Sequence, residues 1–363
     1  MVKKSDRLSF ERGSPSTDSF PTAQISECAE AILHADSTTV LQYGKPGGYL
    51  PLRETIAQWY DASPDEVLIS NGSLQILEFL STLLLHTGDT VFVEQPVYDR
   101  TISIFRRHGV NLVGVPLQSD GPDMEFLATQ LRSTTPRFFY IIPDFQNPSG
   151  VTASLSKRRE MVRLAERHDF LILEDAPYRP LRYEGQDVPT LRSLSPDRVL
   201  HMSSFTKLLS PGLRVGYLIA PKATVERLLP IAANTYVCPG ILAQGITYEF
   251  CRRGLLEPNI EELKQLYRPK LKATLVALQQ NLPDADWARP EGGYFVGVTL
   301  PEDSQVTNLR QRGEAVGLGL SDGRGFFPQG GGERFLRLAF PALSCAEIGE
   351  GIARLAKLLA PES

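Results

Sequence analysis

From Val67 onward, short apolar runs alternate with longer stretches of helical periodicity, and this alternation restricts the fold more than any other feature of the chain. The strand-type runs are 67–70, 90–94, 111–116, 138–143, 170–174 and 199–203. The helical patterns between them cover 74–85, 97–108, 124–132 and 156–168. Such βαβα order predicts an α/β fold, a mostly parallel central sheet with helices on both faces. Sheets of that kind place their ligand sites at the carboxyl ends of the strands. Gly72, Asn147, Asp175 and Ser204 fall at or just beyond those predicted ends.

Outside this region the pattern differs. The first forty-odd residues are polar and punctuated by Gly13, Pro15 and Pro21, which reads as an arm followed by a helix near 23–33. A Gly/Pro-rich loop follows at 43–51. After Gly216 the chain reads as mostly helical, about 223–253 and 260–281. The last third reads as a smaller α+β domain, with strands near 294–299 and 335–340 and a helix at 346–360. The expected divisions are 1–44 for the arm and part of a small domain, 45–250 for a large domain, and 251–363 for the rest of the small domain.

Composition excludes several classes. The 363 residues carry a formal net charge of −4, which argues against a general nucleic-acid binder. Cys28, Cys238, Cys251 and Cys345 are far apart, so neither a disulfide framework nor a zinc site is expected, and a reduced, cytoplasmic compartment is. No apolar stretch is long enough to span a bilayer.

The run Ser203-Ser204-Phe205-Thr206-Lys207-Leu208-Leu209-Ser210-Pro211-Gly212-Leu213-Arg214 carries the chemistry. A lysine amine can form a Schiff base with an aldehyde, and flanking hydroxyls with a guanidinium can hold a phosphate. An aldehyde and a phosphate on one small molecule describe pyridoxal phosphate. Asp175, after the preceding strand, reads by itself as a helix cap, and with Lys207 following the next strand it suits a protonated pyridine nitrogen. Asn147 in Gln146-Asn147-Pro148-Ser149-Gly150 is a turn residue or a donor to the cofactor's phenolic oxygen, and Tyr178 could donate to the same oxygen. Asn71-Gly72-Ser73-Leu74 opens a helix, where backbone N–H groups and a serine make a phosphate site or merely a cap. Tyr98 is a core tyrosine or a ring-stacking one. Arg337, a charge inside an apolar strand, is either internally paired or suited to a substrate carboxylate.

Together these segments resemble fold-type I pyridoxal-phosphate enzymes, specifically class I/II aminotransferases. They are most similar to the subgroup of 2-aminoadipate and kynurenine aminotransferases and the aminotransferase-like domain of MocR-type regulators. The resemblance begins at Glu11-Arg12-Gly13-Ser14-Pro15 and reaches the Arg337 strand. It implies Lys207 as Schiff-base lysine and proton shuttle, Asp175 on the pyridine nitrogen, Asn147 and Tyr178 on the phenolic oxygen, and Tyr98 on the ring face. It implies phosphate contacts from Gly72, Ser73, Leu74, Ser204, Thr206 and Arg214, and substrate contacts from Arg337, Asn147 and Gly13. Tyr43 would reach the phosphate of a neighbouring subunit, so a homodimer with shared sites is implied. Leu74 departs from the family pattern, where a polar residue is frequent, and leaves only its backbone N–H.

The expected function is therefore a ping-pong transfer of an amino group from an α-amino acid to a 2-oxo acid. The alternatives are a fold-type I lyase or cyclase, which would use the same lysine and aspartate, and an acyl-enzyme hydrolase, because Ser204-Phe205-Thr206-Lys207 also reads S-x-x-K. No S-D-N or K-T-G partner motif accompanies it. Regulators of the resembling group carry a winged-helix domain ahead of this region. None is recognised here, so no nucleic-acid, membrane or metal partner is expected.

Overall fold

The computed structural model describes residues 7–360. In chain order the arm contributes β1 (Leu8–Ser9) and α1 (Thr22–Val40), and α2 (Leu50–Trp59) follows it. Next come β2 (Val67–Ser70), α3 (Ser73–Leu84), β3 (Thr90–Gln95), α4 (Asp99–Arg107), β4 (Asn111–Gln118), β5 (Gly121–Pro122) and α5 (Met124–Gln130). They are followed by β6 (Phe138–Ile141), α6 (Leu155–His168), β7 (Leu171–Asp175), a short α7 (Leu191–Leu194), β8 (Val199–Ser204) and β9 (Gly216–Ile219). The chain continues through α8 (Lys222–Tyr236), α9 (Ile241–Arg252), α10 (Leu256–Asn281), β10 (Asp286–Trp287) and β11 (Phe295–Thr299). It ends with α11 (Leu309–Ala315), β12 (Leu318–Gly319), β13 (Phe335–Ala339) and α12 (Cys345–Leu359).

Every residue of β2, β6, β8 and β9 is buried. Near-continuous apolar strands are what a sheet covered on both faces requires. Successive side chains alternate between the faces. Phe92, Phe139, Ile141 and Ile172 accordingly pack in one core cluster with Met161 and Leu164 of α6. Val93, Phe138, Tyr140, Leu173 and Met202 join the other, with Ile76 and Leu80 of α3.

The eight strands lie in the order β2-β9-β8-β7-β6-β3-β4-β5. The ladders β8–β7, β7–β6, β6–β3 and β3–β4 are parallel, as the alternation predicts. β9, which falls at the start of the region expected to be helical, is antiparallel to both β2 and β8. Two reversals restore direction, so β2 runs the same way as β8. The carboxyl ends of β2, β3, β6, β7 and β8 therefore share one edge with the amino end of β9. That arrangement collects residues from 72 to 216 at one place.

The expected helix over 223–253 is two helices. Val237, with a left-handed φ of 65°, and the following Cys238-Pro239-Gly240 separate α8 from α9. α1 runs further than expected and kinks at Asp36. A second, three-stranded antiparallel sheet, β10-β11-β13, carries Arg337. The arm joins the C-terminal part through the parallel pairing of β1 with β12. The four cysteines are free thiols. No described helix is long and apolar enough to cross a membrane.

Candidate active site

β8 ends at Ser204 and the chain turns at once into a 3₁₀ segment, Phe205–Lys207. The turn is held by the Ser204 hydroxyl, which accepts from the Thr206 N–H at 3.0 Å and bonds the Thr206 hydroxyl at 2.7 Å and the Val215 carbonyl at 3.1 Å. Ser204 is thus a turn residue with its hydroxyl engaged, which removes the S-x-x-K nucleophile reading. The turn directs Lys207 across the strand ends. Its Nζ donates to the Gly13 carbonyl at 2.9 Å and lies 5.7 and 5.5 Å from the ring centroids of Tyr178 and Tyr294. Burial above all, then the Arg337 and Arg214 guanidiniums, push its amine down to about 8. Desolvation disfavours the ammonium form, and like charges add to it.

Asp175 is the last residue of β7 rather than the first of the loop, one position further into the sheet than expected. Its Oδ2 accepts from the Tyr140 hydroxyl at 2.7 Å, and its Oδ1 is buried with no partner. Burial pushes the carboxyl up to about 6, against the opposing effects of Tyr140, His201 and Lys207. A buried carboxylate oxygen without a donor is costly, so this atom calls for a cation or an N–H.

Asn147 follows β6 in a buried loop. Its Oδ1 accepts from Arg337 Nη1 at 3.0 Å, which leaves its amide N–H groups to point elsewhere. Arg337 also donates to the Glu11 carbonyl, and its Nε is buried without a partner. Its guanidinium carbon stands 5.1 and 4.7 Å from the Phe295 and Phe326 ring centroids. The internal salt bridge, one of the two readings of this arginine, does not describe it. It is a buried cation whose described protein partners are neutral.

Gly72 precedes α3 with φ of 91°, a conformation L residues rarely adopt. A Cβ there would come within 2.1 Å of Arg214 Nη2. A Cβ on Gly216 would stand 2.4 Å from the Ser73 nitrogen. Two glycines thus let β9 press against the start of α3 and bring Arg214 over that helix terminus. Arg214 Nη2 donates to the Asn71 carbonyl at 3.0 Å. The free N–H groups of a helix's first turn, two hydroxyls and a guanidinium form an anion cradle.

Ser73, Leu74, Tyr98, Asn147, Asp175, Tyr178, Ser204, Thr206, Lys207 and Arg214 line one cavity of about 360 Å³. A second cavity of about 670 Å³ shares Tyr98, the exposed Arg100, Asn147, Tyr178 and Lys207 with it and extends to Gly13, Arg337 and the exposed Arg12 and Arg310. Tyr43 stands apart. It is 79% exposed and lines neither cavity. One contributor escaped the sequence reading: Tyr140 lies in an apolar strand with nothing to mark it off from core. Gly13, expected at the site through the resemblance, meets Lys207 through its carbonyl, which no residue type encodes.

The residues present fit pyridoxal phosphate. A lysine amine of lowered basicity suits an aldehyde, the orphan Asp175 oxygen suits a ring N–H, and the glycine-lined cradle suits a phosphate. This pairing of a doubly wound sheet with a lysine and an aspartate at adjacent strand ends is that of a pyridoxal-phosphate-dependent transferase. The family description "Aminotransferase class I and II" matches residues 7–355, and the chain belongs to that family. It is 34% identical to a 2-aminoadipate transaminase of Thermus thermophilus, over 97% of this chain and 90% of that protein. It is 32% identical to an aromatic-amino-acid aminotransferase of Thermococcus litoralis, over 100% of this chain and 90% of that one. The crystal structure of an alpha-aminoadipate aminotransferase from Thermus thermophilus, complexed with N-(5'-phosphopyridoxyl)-L-leucine, superposes with a TM-score of 0.93 at 34% identity, covering 98% of this chain and 92% of that one. The protein is a pyridoxal-phosphate-dependent aminotransferase of fold type I.

Proposed function

We propose that Lys207, Asp175 and Tyr178 carry the transfer of an amino group from an α-amino acid to a 2-oxo acid. The observation that supports this most is the convergence, in one cavity, of a lysine amine of lowered pKa with a buried carboxylate oxygen that has no partner. When bound, the cofactor supplies an electrophilic aldehyde conjugated to an electron-withdrawing ring.

Lys207 would hold that aldehyde through its amine until a substrate amine took its place. The freed amine, already inclined to be neutral, would shuttle the proton between the substrate α-carbon and the cofactor. A base whose pKa lies near the operating pH is the efficient one, and such help contributes on the order of 10²–10⁴-fold. Asp175 Oδ1 receives the ring N–H and keeps the nitrogen protonated. The Asn147 amide and the Tyr178 hydroxyl donate to the phenolic oxygen and set the ring's angle, with Tyr98 against its face. Gly72, Ser73 and Leu74 offer backbone N–H groups to the phosphate, and Ser73, Thr206 and Arg214 offer side chains, with Ser204 placing the Thr206 hydroxyl. Arg337 takes the substrate α-carboxylate, between Gly13 and Asn147.

The exposed position of Tyr43 accords with a role outside its own subunit, a contact with the phosphate of a partner chain in a homodimer. We place the division of the chain at 1–44, 45–250 and 251–363, and the enzyme in the cytoplasm. The relatives are named for 2-aminoadipate and for aromatic amino acids. Arg12, Arg100 and Arg310 at the mouth, set among Glu11, Asp99 and Asp322, offer guanidiniums to partners whose far end is a carboxylate.

The test is Lys207→Ala. It abolishes turnover and the borohydride-reducible link between protein and cofactor. Near-native transamination by that variant would overturn the assignment.

A further inference from the structure

We infer that Tyr140 is a positioning residue that divides the two oxygens of Asp175, taking one itself and reserving the other for the ring nitrogen of the cofactor. The inference rests on the reading of Asp175 proposed above. Tyr140 lies on β6 in register with Leu173 of β7, two residues before Asp175. Residues two apart on a strand share a face, so Tyr140 and Asp175 project to the same side of the sheet. The tyrosine ring is wholly buried and meets Phe105 edge-on at 5.9 Å. The hydroxyl therefore has no water to exchange for the carboxylate, and it donates to Oδ2 at 2.7 Å. Asp175 lines the cavity, and Oδ1 is the oxygen left over. With Oδ2 anchored, the carboxylate cannot rotate freely, and Oδ1 is presented in one direction.

A second consequence concerns the proton. A donor to a carboxylate lowers its proton affinity. Tyr140 thereby holds the proton shared by Asp175 and the ring nitrogen on the nitrogen, where it makes the ring withdraw electrons. Loss of the hydroxyl moves that proton toward the carboxyl and frees the carboxylate to turn.

The experiment uses Tyr140→Phe holoenzyme reconstituted with pyridoxal phosphate labelled with ¹⁵N at the ring nitrogen. The ring packing against Phe105 is kept. The ¹⁵N resonance moves toward the value of neutral pyridine, and kcat falls on the order of tenfold while KM for the amino acid stays near wild type. A general structural defect would not move the resonance in that direction. An unchanged resonance with kcat within about twofold of wild type overturns the inference. If Tyr140→Phe does not accumulate as folded holoenzyme, Tyr140→Met removes the same donor with an adaptable side chain and is read by the same two outcomes. Asp175→Asn serves as the reference. If it leaves the resonance in place, Asp175 is not the ring partner, and the reading beneath this inference fails instead.

Discussion

The floor of the cavity and its mouth are built on different principles. The floor consists of residues at strand ends, with Asp175, Asn147 and Ser204 buried and each held by a described hydrogen bond. The mouth consists of Arg12, Arg100 and Arg310, exposed and carried on the arm, the start of α4 and α11. Groups on the floor act in a low-dielectric setting, where each charge or donor is worth much. Charges at the mouth are screened by water and salt. On the proposed reading, chemistry and selection therefore reside in separate places, the reaction at the sheet edge and the choice of substrate at the arm and the starts of α4 and α11.

Substitutions graded from floor to mouth test that division. Lys207→Ala has the largest expected effect, a loss of kcat of at least about 10⁴-fold, because no other amine reaches the same position. Asp175→Asn comes next, with kcat lowered by roughly 10²-fold or more as the ring loses its ionic partner. The same variant has an opposite effect on the cofactor-stripped protein. Folded Asp175 holds its proton up to about pH 6, and the ordinary value is 3.8. Between those values the folded chain binds more protons than the unfolded one, so stability falls as pH rises through that window and stays lower above it. Asp175→Asn removes the Asp175 share of this slope, leaves that of the buried Glu94, whose carboxyl burial pushes up to about 8, and makes the stripped protein more stable at neutral pH by roughly 2 kcal/mol in urea unfolding. A slope through that window as steep in the variant as in the wild type would show that Asp175 carries none of it.

Arg337→Ala sits between floor and mouth. Its expected signature is a rise in KM for the amino acid of roughly 10–100-fold with a smaller change in kcat, since one charged hydrogen-bonding partner of the substrate is lost. Its unfolding midpoint stays level or rises, because the buried guanidinium has no carboxylate partner among the described residues. Arg12→Ala has the smallest expected effect. It raises KM for dicarboxylic substrates by no more than about threefold, and the effect fades as salt is added. An Arg12 effect larger than that of Arg337 would break the proposed gradient.

The floor was more legible in the sequence than the topology around it. Apolar runs ending in Asp175 and in Ser204–Lys207 mark strand ends, because a polar residue inside a buried strand needs a partner, as Glu174 and His201 find in each other. β9 escaped notice because a four-residue buried run resembles any other, and nothing within it records the direction in which it pairs. The break at Val237 was hidden by helical periodicity on both sides. Tyr140 was invisible for a related reason. Its ring obeys the strand's apolar pattern, and only the register against β7 shows that its hydroxyl meets a carboxylate. Arg337 was singled out as a charge in an apolar strand, but its neutral partners, the Asn147 amide and the Glu11 carbonyl, come from segments far away in the chain.

The antiparallel strand has a consequence for synthesis. Ser70 pairs with Gly216 and Val67 with Ile219, so β2 has no sheet neighbour until roughly 150 further residues have been made, a separation that slows folding. Until β8 is complete the emerging polypeptide holds the start of α3 but neither Lys207 nor Arg214. A ribosome-bound fragment ending before Lys207 would therefore capture no cofactor, and the vitamin-derived ligand can stabilise only chains in which most of the large sheet has been made.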